Sequence, residues 1–221
     1  RRADALLCVS EEDRSALRAR RGAEPIVVPN GVDDELFELP AAGGEAGRVL
    51  FFGAHWWAPN RDGLVRFLRE AWPHVRDRRA DARLRIVGPG PLDAARETAA
   101  GREGVELVGL VDDLRAELCA ASVVVVPVWT GGGTRIKVLE AMAAARPVVG
   151  TAVGVERLGF EAGVHGLVDD TPAGLADAVA ALLEDPARGR RLGEAARAHV
   201  RPRCWSAATA PAEALYRGWL G

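Results

Sequence analysis

Within eleven residues, Thr130-Gly-Gly-Gly-Thr-Arg-Ile-Lys-Val-Leu-Glu140, the chain carries three glycines, two cations and a glutamate. Gly131, Gly132 and Gly133 have no Cβ to keep an anion away, so backbone N–H groups there, with Thr134 beside them, can approach a phosphate closely. The stretch follows an apolar run and opens a segment of helical period, which would aim a helix N-terminus and its partial positive charge at the same anion. Arg135 and Lys137 add full charges suited to a diphosphate. Lys137 and Glu140 are three residues apart and share a helix face, and Glu140, a turn deeper, is placed to accept from the two hydroxyls of a ribose. Lys137 is the only lysine among 29 lysines and arginines. The plain structural alternative is a flexible loop beside a surface Lys–Glu pair worth a few tenths of a kcal/mol. Its position between a strand and a helix argues against that.

Several other chemistries are excluded. There is no G-x-x-x-x-G-K-[ST] phosphate loop, and Gly88-Pro-Gly-Pro-Leu-Asp93 does not make G-x-G-x-x-G, which disfavours a dinucleotide dehydrogenase. Cys8, Cys119 and Cys204 are isolated and odd in number, with no metal-ligand spacing, so reduced thiols and no metal site are expected. A formal charge of −2 speaks against nucleic acid as a partner. No apolar run approaches the roughly 20 residues that cross a membrane, and no signal-peptide pattern opens the chain, so a cytoplasmic location is expected. His55 and His165 read as structural loop histidines. Trp56 and Trp57 are equally suited to stacking on a ligand and to packing, and Asp112 and Asp113 read as helix-start acids.

The elements that must position these residues alternate. Apolar runs at Arg48–Phe52, Leu84–Val87, Val105–Val108, Ser122–Val126 and Pro147–Thr151 read as buried parallel strands. Helical periods lie between them at 60–76, 91–100, 112–120 and 134–145, with a short apolar segment at 166–168 and further helices at 172–184, from Pro186, and at 206–219. This rhythm predicts an α/β fold, a Rossmann-like doubly wound parallel sheet. Ahead of it, Ala5–Val9 reads as a strand and Ser10 as the N-cap of a helix running to about Arg21. Residues 1–40 are expected to be the trailing edge of a missing upstream domain and 41–202 the Rossmann-like domain itself. Residues 203–221 would be a helix crossing back towards the partner. The small, polar stretch 41–46 suits a linker.

Seven ordered stretches resemble one family: Val28-Pro-Asn-Gly-Val-Asp33, Phe51-Phe-Gly53, Trp57-Ala-Pro-Asn-Arg-Asp-Gly63, Ile86-Val-Gly88, Gly109-Leu-Val-Asp-Asp113, Gly131 to Met142, and Pro147-Val-Val149. Together they resemble the C-terminal, donor-binding half of a GT-B retaining glycosyltransferase of the family 4 type. The resemblance implies binding of a nucleotide-diphospho-sugar as donor substrate, with no cofactor, and metal-independent transfer of the sugar with retention. The acceptor-binding domain would be the missing half, and any peripheral membrane contact would run through it. Glu140 corresponds to the family's ribose-binding glutamate. The family's first glutamate, eight positions earlier, falls at Gly132 and is absent. In the loop after the first strand, Gly53 is kept, the usual Arg is missing and Arg61 loosely replaces the usual Lys. Glu156 matches a position near the sugar, and Val111 starts the loop against which the nucleobase would lie. The rival readings are a non-catalytic nucleotide-binding module and a GT-B-fold nucleotide-sugar epimerase or phosphorylase.

Overall fold

The structure, a computed structural model, describes residues 5–21, 24–41 and 44–220. Its main sheet has six parallel strands in the order β5-β4-β3-β6-β7-β8. They are β3 (Arg48–Phe52), β4 (Arg83–Val87), β5 (Val105–Gly109), β6 (Val123–Val126), β7 (Val148–Gly150) and β8 (Gly166–Val168). Five of these are the apolar runs expected from the sequence, and the short segment at 166–168 adds the edge strand. The helices are α1 (Glu11–Arg21), α2 (Ala58–Arg66), α3 (Trp72–Arg78), α4 (Asp93–Ala99), α5 (Leu114–Ala120), α6 (Ile136–Ala143), α7 (Ala152–Val155), α8 (Pro172–Glu184), α9 (Pro186–Val200), α10 (Trp205–Ala208) and α11 (Ala210–Leu220).

Side-chain alternation along the central strands sorts the core into two layers. Val49 and Phe51 of β3, with Val123 and Val125 of β6, face Leu64, Phe67, Trp72, Leu175 and Val179. Leu50, Phe52, Val124 and Val126 face the other way, onto Val138, Leu139, Met142, Ala196 and Val200. Apolar side chains on both faces explain why these strands read as continuous hydrophobic runs rather than alternating ones. The fold is thus the expected doubly wound α/β sheet.

Three local differences have physical causes. The helix expected over 60–76 is α2 and α3 joined by a π turn at Phe67–Ala71, where the Trp72 N–H donates to the Phe67 carbonyl. The widened turn accommodates Pro73, which has no N–H to give. Helix α6 starts at Ile136 rather than Thr134, because Arg135 is non-helical at φ −85°, ψ 84°. Helix α7 was not anticipated; Thr151 caps it, its hydroxyl accepting from the Gly154 N–H at 3.0 Å.

The N-terminal segment forms a two-stranded parallel sheet of β1 (Leu7–Cys8) and β2 (Ile26–Val27), bridged by α1. Ser10 caps α1, accepting from the Asp13 N–H at 3.0 Å. The C-terminal segment returns to it: the Val32 N–H donates to the Arg203 carbonyl at 2.8 Å and the Trp205 N–H to the Val32 carbonyl at 3.0 Å. Ser206 Oγ also donates to Asp34 at 2.8 Å. Positions 42 and 43 of the expected linker lie outside the described residues.

Candidate functional site

Strand order reverses between β3 and β6, so crossovers leave these neighbours in opposite directions and a crevice opens beyond their carboxyl ends. Gly53–Trp57, following β3, forms one wall. The other is the stretch from Pro127 to Arg135, following β6. Between them lies a cavity of about 290 Å³, lined by Gly53, Trp57, Asn60, Gly132, Thr134 and Lys137 among others.

Gly131 and Gly133 take φ values of 110° and 88°, which only glycine adopts without strain. Arg135 turns back into this loop. Its guanidinium donates to the carbonyls of Gly132 at 2.6 Å, Gly133 at 2.8 Å and Gly131 at 3.0 Å, and it lies 5.2 Å from the centre of the Trp57 ring. Arg135, expected on the phosphates, lines the crevice but is buried, its guanidinium engaged by the loop's own carbonyls. What the geometry supports is that it holds the glycine turn in shape. Burial lowers its pKa, opposed by Glu156, whose carboxylate stands 3.8 Å away.

Lys137, one residue into α6, points into the crevice and is 9 % exposed. Its ammonium donates to Asn60 Oδ1 at 2.5 Å and sits 4.7 Å from the centre of the Phe51 ring. Burial pushes it down to about 7; the nearby Arg135 charge adds to this and Glu140 opposes it. Glu140, one turn further on, is partly exposed, and burial raises its carboxyl, with Lys137 lowering it and Asp33 raising it. This stretch therefore presents a hydrogen-bonded ammonium and a carboxyl reluctant to ionise, beside a glycine loop.

Gly53 adopts φ +140°, and a methyl group on it would lie 2.8 Å from Asn60 Nδ2 and 3.5 Å from Lys137 Nζ. Arg61 points elsewhere, paired with Asp62 at 2.9 Å and 46 % exposed, so it does not line the crevice. Val111, two residues beyond β5, is partly buried and packs against the core. Trp56 is largely exposed, whereas His55 is buried, its ring stacked on Phe51 at 6.0 Å and its Nε2 without a partner among the described residues. His165 is structural: its Nδ1 accepts from the Glu161 N–H at 3.0 Å, and its ring lies 4.4 Å from that of His199. Gly132 has open space around a would-be Cβ.

Sequence reasoning did not single out Asn60, because the signal is a contact between residues 77 apart. A second cavity of about 130 Å³ lies at the opposite, amino end of the strands, near Gly47, Ser122 and Pro147. Its buried Arg146 donates to the carbonyls of Pro40, Cys119, Ala121 and Ala144, so its guanidinium is engaged within the fold. Among the described residues, no three His, Cys, Asp or Glu side chains converge as a metal site would require, and no helix is long and apolar enough to cross a membrane.

Residues 46–185 match the family described as Glycosyl transferases group 1. The phosphatidyl-myo-inositol mannosyltransferase of Mycobacterium leprae (strain TN) is 32% identical over 210 residues, 90% of this chain and 55% of that protein. The D-inositol 3-phosphate glycosyltransferase of Kineococcus radiotolerans is 32% identical over 251 residues, 97% of this chain and 57% of that protein. The solved structure of Anabaena Alr3699/HepE in complex with UDP and glucose shares the fold, with a TM-score of 0.73 at 18% identity over 97% of this chain and 63% of that one. The six-stranded parallel sheet thus matches GT-B glycosyltransferase structures. The chain spans little more than half the length of the relatives it matches.

Proposed function

The chain belongs to the glycosyl transferases group 1 family, and on that premise we propose that it is the donor-binding half of a retaining, family 4 type glycosyltransferase. It binds a nucleotide-diphospho-sugar in the crevice between the loops after β3 and β6. The observation that carries this reading is Lys137. A buried ammonium, hydrogen-bonded only to a neutral amide among the described residues, stands at the sheet's switch point beside a glycine loop. A charge held that way is matched to an incoming anion rather than to a partner within the fold.

In this reading the diphosphate lies between Lys137 and the N–H groups at the start of α6, while Arg135 keeps the glycine turn shaped around it. Glu140 takes the ribose hydroxyls, Val111 flanks the base, and Glu156 stands towards the sugar. As the glycosyl–phosphate bond breaks, negative charge grows on the leaving diphosphate, and the preorganised ammonium and amides stabilise it without a metal. The acceptor hydroxyl attacks from the face the phosphate leaves, and its proton passes to the departing phosphate oxygen, which gives retention. Segments 1–40 and 203–221 belong with the acceptor-binding lobe of a cytoplasmic enzyme. The relatives' names make an inositol-bearing molecule the first acceptor class to test.

Calorimetry of the 221-residue chain with UDP, GDP, ADP and TDP tests the reading. We expect one of them to bind, and weakly, because half of the crevice is built by the other lobe. No binding of any nucleotide at millimolar concentration would leave a non-catalytic module, the outcome that Gly132 in place of a glutamate favours.

A further inference from the structure

We propose that Asn60 is the positioning residue for Lys137: its side-chain oxygen aims the ammonium into the crevice and holds the proton there, as a neutral acceptor that leaves the positive charge uncancelled. The inference rests on the donor-binding reading only for the anion that this charge meets.

Asn60 is itself buried, 5 % exposed, with both ends of its amide engaged. The Nδ2 donates to the Ala54 carbonyl at 3.0 Å and Oδ1 accepts from Lys137 Nζ at 2.5 Å. These partners leave no choice about which way the amide points: a carbonyl only accepts and an ammonium only donates. The backbone of Asn60 is fixed as well. Its N–H donates to the Trp57 carbonyl at 3.0 Å in the first turn of α2. Helix α2 also lies directly against the exit of β6, where a methyl group on Gly63 would fall 2.0 Å from the Pro127 carbonyl oxygen. Asn60 is therefore held against the strand that leads to the glycine loop.

The charged and titratable groups around Lys137 are few. Its own stretch contributes Arg135 and Glu140, and the loop after β3 contributes His55. Asp33 acts on Glu140 rather than on the lysine directly. The Phe51 ring covers another side. A carboxylate at position 60 would form an ion pair with the ammonium and cancel what a diphosphate is to meet. An apolar side chain there would leave the ammonium without its acceptor, and the group would give up its proton at lower pH.

Lys137 being the only lysine, labelling lysine with ¹³C at Cε yields one resonance that titrates with this ammonium. The comparison is between the native chain, Asn60→Leu and Asn60→Asp. Both substitutions remove the donation to Ala54, but a carboxylate beside the ammonium raises the midpoint whatever Asn60 does, so Asn60→Leu decides: a residue that merely fastens the loop would leave its midpoint unchanged or, with water admitted, raise it. The proposal expects the midpoint to fall by about one pH unit in Asn60→Leu and to rise by about as much in Asn60→Asp, roughly tenfold each way in the ammonium-to-amine ratio. A midpoint in Asn60→Leu that does not fall overturns it, whatever Asn60→Asp does. Where Asn60→Leu does not fold, Asn60→Ser, whose hydroxyl is too short to reach, takes its place. Calorimetry with UDP and GDP from about pH 6 to about pH 9 is the second arm, in which the pH where affinity fades should track the resonance midpoint. Failure of the native chain to bind any of UDP, GDP, ADP and TDP would defeat the donor reading, while the resonance titration would still decide the role of Asn60.

Discussion

Replacing Lys137 by methionine should stabilise the protein and disable it at once. Methionine matches the lysine stem in length and fills the same space without a charge to bury. The ammonium is displaced from 10.5 to about 7 in the folded chain, and each unit is about 1.4 kcal/mol, so the buried charge lowers folding stability by about 5 kcal/mol at and below neutral pH. The sign follows from proton counting. The unfolded chain keeps this proton up to about pH 10.5 and the folded chain only up to about 7, so the unfolded state binds more protons between those values and stability rises with pH across that window. Urea unfolding, followed by tryptophan fluorescence at a series of pH values, reads this directly. Subtracting the curve of Lys137→Met from that of the native chain removes the groups common to both. The variant should be more stable by about 3–5 kcal/mol at pH 7, with the gap closing towards pH 10. A gap that does not change with pH, or a variant less stable than the native chain at pH 7, refutes the reasoning. The same variant should lose its nucleotide affinity, the familiar exchange of function for stability at a binding site.

Two further outcomes are expected. Glu140→Gln should weaken binding of UDP or GDP by about 1–3 kcal/mol and leave the 2′,3′-dideoxy nucleotides unaffected, because the carboxyl is assigned to the ribose hydroxyls; equal losses for both kinds of nucleotide in calorimetry would remove Glu140 from the ribose. Gly88→Ala would place a methyl group 2.0 Å from the Gly53 carbonyl oxygen on a backbone at φ +137°. Stability should fall by about 2–4 kcal/mol, visible as a lower Tm, and an unchanged melting curve would show that the two loops are not packed this closely.

The sheet was legible because its strands are buried on both faces. Val123–Val126 is an unbroken apolar run whose alternate side chains feed two different cores, a pattern that survives without knowledge of its neighbours. The glycine turn was legible for a similar reason, since its residue types lie together in the chain. What escaped depends on contacts across the fold. Arg135 and Lys137 look alike in the sequence as cations beside glycines, and both line the crevice, yet one folds back onto loop carbonyls and the other reaches Asn60 on the facing element. Their separation by two positions at a helix start, where Arg135 is not yet helical, sends them different ways. Arg61 looked like a substitute for a loop lysine, but one position away Asn60 is the residue that faces inward, set by the phase of α2. The π turn ahead of Pro73 left no mark in the hydrophobic period, because Phe67, Leu68, Ala71 and Trp72 remain apolar through it.

The bond between Asn60 and Lys137 joins the part of the sheet that β3 begins to the part that β6 begins, across a loop of 77 residues. Such a seam has a kinetic meaning. Closing a long loop carries an entropic cost before any contact across it is rewarded, so neither part alone can present a working crevice. A ligand lodged there behaves as a reversible staple between distant stretches of chain. Whatever it contributes in binding free energy is felt by the whole domain, as resistance to global rather than local opening.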